Sequence, residues 1–333
     1  MRLVVIPSGK YPSSRASSIN STKHAIAFTN FCDVTIFCDN SNFELVSIPS
    51  NVKQVVLPKG YKKYLRAWSY YRSFEMVYSR HLVFSVIFSL FNRSSIIHEL
   101  HAKPSDFGFF SNLLFKILKL RNHVKFVSIT RNLELDLGLD KFGDRSIVLN
   151  DVSNWSKRPF NIYARKIVYF GSVDESKNWR KIVYLARAMP NHQFQVYALT
   201  KPQIADTPPN LEVIVATPYD DLEELIYREA RVVVIPNINT QNLRGVDIGR
   251  YTSPLKFFDS LALSKIIICN SIDVFSDYKG LPNVICAKSD HIDDWVYAIN
   301  ESFNYQDISP NKQLTFPISY TERSKILWSY FHA

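Results

Sequence analysis

Tyr251-Thr252-Ser253-Pro254-Leu255-Lys256-Phe257-Phe258-Asp259-Ser260-Leu261-Ala262-Leu263-Ser264-Lys265-Ile266-Ile267-Ile268-Cys269 is the stretch on which the reading of the chain turns. Ser253 is a residue type that accepts free N–H groups at a helix start, and Pro254 suits the first turn. An amphipathic helix is therefore expected over Pro254–Leu263. The β-branched run Ile266–Cys269 that follows is expected to be a strand. A helix leading straight into an apolar strand is half of a strand-helix-strand unit, the building block of parallel sheets.

The same alternation extends outward in both directions. In the second half, strands are expected at Lys166–Phe170, Gln193–Ala198, Leu211–Val215, Val232–Ile235 and Asn283–Cys286, with helices near Trp179–Ala188, Asp220–Arg228 and Ile292–Phe303. In the first half, strands are expected at Leu3–Ile6, Val34–Cys38, Gln54–Leu57, Glu75–Ser79, Ser95–Leu100 and Val124–Ile129. Helices fall near Asn20–Asn30, Lys62–Tyr71, His81–Phe91 and Phe109–Lys119. The polar stretch Asn154–Asn161 separates the halves, so the junction is placed at 158/159. Pro236–Ser253 is much longer than the common connection of about 2 to 6 residues, and such loops are usually functional.

Composition agrees with two such domains. A chain of 333 residues divided by about 150 residues per domain gives roughly two. With 46% hydrophobic and 21% charged residues, wholesale disorder is excluded. The net charge of +10 favours polyanionic or phosphorylated partners without choosing among them. Cys32, Cys38, Cys269 and Cys286 lack C-x-x-C spacing and read as reduced thiols. No run reaches the ~18 to 20 apolar residues of a spanning helix, and Leu3–Ile6 reads as a first strand rather than a signal peptide. A cytoplasmic location is the expectation.

Ligands of open parallel sheets bind beyond the carboxyl ends of the strands. Four polar clusters lie there. Gly171-Ser172 with Lys177 follows a strand and precedes a helix, so a glycine turn and a lysine could meet a phosphate; an ordinary turn with a solvated lysine describes it as well. At Ser253-Pro254-Leu255-Lys256, the free N–H groups of Leu255 and Lys256 would face an anion, and Asp259 on a nearby face could accept bonds from a ribose diol. A capped helix with a Lys256/Asp259 pair is the plainer alternative. The strand Ile96–Leu100 ends in His98-Glu99-Leu100-His101, where alternation puts Glu99 and His101 on one side and His98 on the other. The H-E-x-x-H helix of a zincin is absent, so no metal is expected. His101, at the strand tip, can contact a hydroxyl or take its proton. The fourth cluster, Pro7–Ser18, includes Lys10, Ser14 and Arg15 and suits an anion-contacting loop, though an ordinary flexible surface loop has the same composition. Separately, Lys59–Arg80 mixes Lys59, Lys62, Lys63, Arg66, Arg72 and Arg80 with Tyr61, Tyr64, Trp68, Tyr70, Tyr71 and Phe74. Such a segment suits an anionic membrane surface, single-stranded nucleic acid, or a solvated helix whose aromatics pack inward.

In order, these pieces resemble the retaining, family 4 type of glycosyltransferases (glycosyl transferases group 1). Ser253–Ile268 is similar to that family's S/T-P-L-K-hydrophobic-F-E-Y-M-A-x-G-K-P-I-I element. Val168–Ser172 with Lys177 is similar to its Y-x-G-x…K-G region, and Val77-Tyr78-Ser79-Arg80 with His98-Glu99-Leu100-His101 to its Y-S-R…Y-E-L-H pair. The resemblance implies an α/β GT-B fold: two Rossmann-like, doubly wound parallel-sheet domains facing across a cleft. Residues 1–158 would bind the acceptor and 159–319 the nucleotide-sugar, while the helix in 320–333 would return to the N-terminal domain.

The resemblance further implies that Gly171, Ser172, Lys177, Ser253, Pro254, Leu255, Lys256 and Asp259 hold the donor nucleotide and diphosphate. His101 would be catalytic, with Ser14, Arg15, Arg80 and Glu99 toward the acceptor. No cofactor or metal and no nucleic acid is expected. The acceptor would be a glycan or lipid-linked intermediate of a bacterial surface polysaccharide such as O-antigen or capsule, reached by peripheral attachment at the inner membrane face through Lys59–Arg80.

The chain departs from the family pattern in several places. Ser172 stands where an arginine is usual, Tyr251 where the first acid is, Asp259 where the second is, and Asn178 and Ser264 where glycines are. These departures motivate the alternative of a GT-B binding or assembly protein with impaired catalysis. A basic nucleic-acid-binding protein is the other alternative.

Overall fold

The computed structural model describes residues 1–8, 11, 16–39, 48–91, 94–153, 155–173, 177–215, 217, 219–238, 242–243, 246–247, 249–251, 253–305 and 319–333. The chain divides into two units, Met1–Asn150 with Tyr320–Ala333, and Asp151–Ser319. In chain order the first segment gives β1 (Arg2–Ile6), α1 (Ala16–Phe28), β2 (Asp33–Cys38), β3 (Val52–Val56), α2 (Lys62–Ser69), β4 (Met76–Ser79), α3 (Leu82–Phe91), β5 (Ser95–Leu100), α4 (Phe109–Lys119), β6 (Val124–Ser128), α5 (Arg131–Asp136) and β7 (Ser146–Val148). The second unit holds β8 (Lys166–Phe170), α6 (Lys181–Ala188), β9 (Phe194–Ala198), β10 (Leu211–Val215), α7 (Tyr219–Glu229), β11 (Ala230–Ile235), the short strands β12 (Asn242–Leu243) and β13 (Val246–Asp247), α8 (Leu255–Ala262), β14 (Ile266–Asn270), β15 (Val284–Ala287) and α9 (Ile292–Ser302). Helix α10 (Tyr320–His332) completes the first unit.

The first unit is built on a seven-stranded sheet in the order β3-β2-β1-β4-β5-β6-β7. Its pairings are parallel throughout. Strand order reverses between β1 and β4, so the crevice at their carboxyl ends is the natural ligand position. Leu3, Val5, Ile36, Tyr78 and Ile97 share a core cluster with Leu327, Tyr330 and Phe331 of α10. Each such large side chain, fully buried, is worth roughly 1.5–3 kcal/mol, so α10 is a structural part of this unit.

The second unit has a six-stranded parallel sheet, β10-β9-β8-β11-β14-β15. The run Ile266–Cys269 is continuously apolar because β14 is covered on both faces, as a parallel strand must be. Ile266 and Ile268 pack with Trp179, Ile182 and Trp295. Ile267 and Cys269 pack with Phe257, Phe258 and Leu261 of α8.

Three differences from sequence-based expectation have local causes. Helix α6 starts at Lys181 rather than Trp179, because Asn178 sits at φ +50°; asparagine is among the few residues with a side chain that tolerate this left-handed conformation. Helix α5 and strand β7 are unanticipated. The former is capped by Thr130, whose Oγ1 accepts the Leu133 N–H at 3.3 Å, and the latter is only three residues long. The units divide at Asn150/Asp151, where composition suggests 158/159, because the polar stretch that follows packs on the second unit. Trp155 tilts over Phe170 with ring centroids 5.2 Å apart, and the Arg158 N–H donates to the Ala262 carbonyl at 2.8 Å.

Candidate functional site

Two clusters of chemistry-bearing residues lie at strand carboxyl ends, one in each unit. In the first, β5 carries His98 and Glu99 and delivers His101 just past its end. Alternation along the strand separates them as expected. His98 Nδ1 is 2.9 Å from the Ser85 hydroxyl of α3, whereas His101 Nε2 donates to Glu99 Oε1 at 2.6 Å. Because the carboxylate accepts from Nε2, a neutral His101 ring keeps its lone pair on Nδ1. That nitrogen can accept a hydroxyl proton or hydrogen bond.

Glu99 is buried and its two oxygens are shared. Arg323 Nη2 of α10 lies 2.8 Å from Oε2, the Tyr78 hydroxyl donates to the same oxygen, and Arg80 Nε stands 3.6 Å from Oε1. Burial pushes the carboxyl pKa up, but Arg323, His101 and Arg80 outweigh it and hold Glu99 well below the usual carboxylate range. Arg323 is itself enclosed. It donates to the carbonyls of Leu149 and Asn150 at 2.9 and 2.8 Å, and its Nη1 donates to His24 Nε2 at 2.8 Å. A guanidinium cannot accept, so His24 is held neutral with its proton on Nδ1. Burial, then Arg323, lowers its pKa well below the ordinary imidazole value.

A cavity of about 460 Å³ opens beside this cluster, within the usual range for small-molecule sites. Ser8 beyond β1, Arg80 and His81 beyond β4, and Glu99 and His101 line it on the polar side; Leu100, Pro104, Phe107 and Leu114 line the apolar side. It therefore sits at the reversal point of the sheet. Ser14 and Arg15 lie outside the described residues. Arg80, which the sequence groups with an exposed basic segment, has a side chain only 5% exposed and belongs to the cavity wall. The rest of that segment is mixed. Tyr61 and Trp68 are 71% and 44% exposed, Leu65 is also exposed, but Phe74 is buried and Tyr64 packs on Phe84.

In the second unit, β8 ends at Gly171, whose φ of +121° is open to glycine. A methyl group there would make ordinary contact with Lys256 Nζ at 3.4 Å, so the backbone angle rather than space calls for glycine, and the lysine reaches the strand tip. The ammonium of Lys256 lies 4.1 Å from the Tyr169 ring centroid. Ser172 is exposed, and its carbonyl accepts from the Tyr169 hydroxyl. Lys177 is half-buried on the turn before Trp179.

Ser253 does not cap α8. Pro254 occupies the cap position, and the Ser253 hydroxyl instead accepts the Asp151 N–H at 3.3 Å. Leu255 and Lys256 open the helix, where first-turn N–H groups have no intrahelical acceptor. Asp259 is buried one turn on and accepts from the Ser153 hydroxyl at 2.7 Å. Tyr251 is buried as well. Ser264, in the family's glycine position, adopts φ +52° and donates from its hydroxyl to the Arg158 carbonyl at 2.6 Å.

One of two further residues is anticipated by the sequence, where Asp247 or the Asn237–Asn242 segment could replace the donor-sugar contacts of the missing first acid. Asn237, beyond β11 and next to the reversal between β8 and β11, is buried with Oδ1 lacking a hydrogen-bond partner among the described residues. An unmet buried acceptor there calls for a partner, either an ordered water or a ligand. Arg323 escapes sequence reasoning; its one hint is a cation inside an otherwise core-facing terminal helix.

No protein-family model matches the chain, and no curated protein matches it in sequence. Among solved structures it is similar to AviGT4, a glycosyltransferase involved in avilamycin A biosynthesis, with TM-score 0.63 and 11% identity over 99% of this chain and 96% of that one. It is also similar to WaaG, a glycosyltransferase involved in lipopolysaccharide biosynthesis (0.56, 10% identity, 98% and 95% covered). A third is a trehalose-6-phosphate synthase studied for glycosyltransfer with retention (0.57, 12% identity, 100% and 95% covered). The two parallel sheets and these likenesses establish the two-domain α/β GT-B fold.

Proposed function

We propose that the chain is a glycosyltransferase in which the second unit binds a nucleotide-sugar and the first binds the acceptor. The observation that carries this reading is the approach of Lys256 to the Gly171 turn at the start of α8. Breaking the bond from the sugar to the diphosphate leaves the electron pair on a phosphate oxygen, and positive groups aimed at that oxygen lower the barrier. Lys256, Lys177 and the N–H groups of α8 supply them, Gly171 and Ser172 leave room for the phosphates, and Asn237 offers a buried acceptor. Asp259, together with Ser253 and Pro254, frames the nucleoside. His101, oriented by Glu99, meets a hydroxyl of the transferred sugar or of the acceptor through Nδ1.

Retention of stereochemistry is part of the proposal. It is supported by the family-like motifs and by likeness to an enzyme studied for transfer with retention. A surface-polysaccharide acceptor, lipid-linked, is supported by likeness to WaaG and by the exposed Tyr61, Leu65 and Trp68 among lysines, which suit a peripheral membrane position. No helix among the described residues is long and apolar enough to cross a membrane.

Calorimetric titration with UDP, GDP and dTDP tests the donor half. One of them is expected to bind, and Lys256→Met to weaken it about tenfold or more, the value of a charge-assisted bond of roughly 1.5 kcal/mol or above. Absence of heat with all three in folded protein would remove the basis for transfer chemistry.

A further inference from the structure

Resting on the reading that the first unit takes the acceptor, we infer that its cavity holds a phosphoryl group carried by that acceptor, with Arg80 as the cation. Three observations converge. Arg80 is more than nine-tenths buried, and its Nη1 has no hydrogen-bond partner among the described residues. Glu99, the carboxylate that its Nε faces at 3.6 Å, is already 2.8 Å from Arg323 and 2.6 Å from His101. The Glu99 carboxylate is thus shared among several donors and leaves the Arg80 fork unsatisfied. His81, Leu82 and Val83, at the start of the ten-residue helix α3, line the same space, and the first-turn N–H groups of a helix are open to an anion.

A buried, unmet guanidinium donor is costly unless an acceptor arrives. A phosphoryl group presents several oxygens and can meet both the Arg80 fork and the helix start at once. The cavity, about 460 Å³, is far larger than a phosphate. Opposite its polar side, Leu100, Pro104, Phe107 and Leu114 give it an apolar wall. The rest of the ligand is therefore a body with apolar surface, either the non-polar face of a sugar or the first isoprene units of a lipid phosphate.

Calorimetry with two matched pairs tests this: glucose 6-phosphate against glucose, and farnesyl phosphate against farnesol. At least one phosphorylated probe is expected to bind tenfold or more tightly than its uncharged partner and than glucuronic acid. Arg80→Lys, which keeps the charge beside Glu99 but loses the fork, is expected to weaken it about tenfold. Ser111→Trp, on the cavity rim and away from the core, is expected to block binding without unfolding. Lys256→Met should leave the probe's affinity unchanged, which separates this site from the diphosphate site of the second unit. Preference for glucose 6-phosphate identifies a soluble sugar phosphate, and preference for farnesyl phosphate a lipid one.

The inference is overturned if neither pair shows the tenfold difference, if glucuronic acid binds equally well, if Ser111→Trp binds normally, or if Lys256→Met abolishes binding. If a nucleoside diphosphate still binds in that event, the transferase reading survives. If phosphate probes bind while no nucleoside diphosphate does, the transferase reading fails and this site stands.

Discussion

Between pH 6.5 and 4 the first unit is expected to lose on the order of 4 kcal/mol of stability per pH unit. Three of its histidines are held neutral inside it. Burial, aided by His81, lowers His98 to about 4; burial, aided by Lys63, lowers His81 to about 4; and burial with Arg323 puts His24 well below its ordinary value. In the unfolded chain each would titrate near 6.5. Below that pH the unfolded state binds three protons that the folded state refuses, so stability is complete above pH 6.5 and is lost as pH falls toward 4. Each proton contributes about 1.4 kcal/mol per pH unit, and three together exhaust a typical domain stability of roughly 5–15 kcal/mol within a few units. The second unit's described histidines, His192 and His291, are not buried. Hydrogen exchange at pH 7, 6 and 5 should show the amides of β1, β4 and β5 losing protection first. His81→Phe, packing against Tyr64 and Phe84, should flatten the dependence by about one third. Protection in these strands that is unchanged from pH 7 to 5 would refute the account.

Glu99→Gln is expected to destabilise the first unit by about 3–5 kcal/mol at pH 7, the usual result of stranding one partner of a buried ion pair. The substitution keeps size and shape but leaves Arg323, fully enclosed between α10 and the sheet, facing a neutral amide. Arg80 and the Tyr78 hydroxyl lose their acceptor charge at the same time. Glu99→Gln combined with Arg323→Met should cost less than the sum of the single changes, because the second change removes the uncompensated cation. The gap between wild type and Glu99→Gln should also narrow in acid. A carboxyl held far below its unfolded value of about 4.3 adds stability above that value, and this stability fades as pH falls through the folded value. Urea unfolding of the four proteins in the cycle measures all of this, and additive losses would show that Glu99 and Arg323 do not act as a pair.

How much of this is legible in sequence depends on whether a feature is local. Strands such as β8, β11 and β14 announce themselves because burial on both faces demands unbroken apolar runs. The pairing of Glu99 with His101 follows from strand alternation alone. The partnership of Glu99 with Arg323 does not, since the two are joined only when α10 packs on the first sheet. Arg80 misleads for a related reason. It closes a run of exposed cations in the chain, yet one residue past a buried strand its side chain is turned inward. At Ser253 a good capping residue is present, but Asp151 supplies a competing donor and the helix begins one position later. Asn178 and Ser264 show the converse, for both depart from the family's glycine and still adopt the left-handed conformation which glycine would give.

The position of α10 also bears on how the protein is made. Residues 1–150 leave the ribosome long before Tyr320–His332, and until that segment arrives Glu99 lacks the Arg323 guanidinium and the sheet lacks the cover of Leu327, Tyr330 and Phe331. The half synthesised first must therefore finish folding last, waiting through translation of the other half for its closing piece.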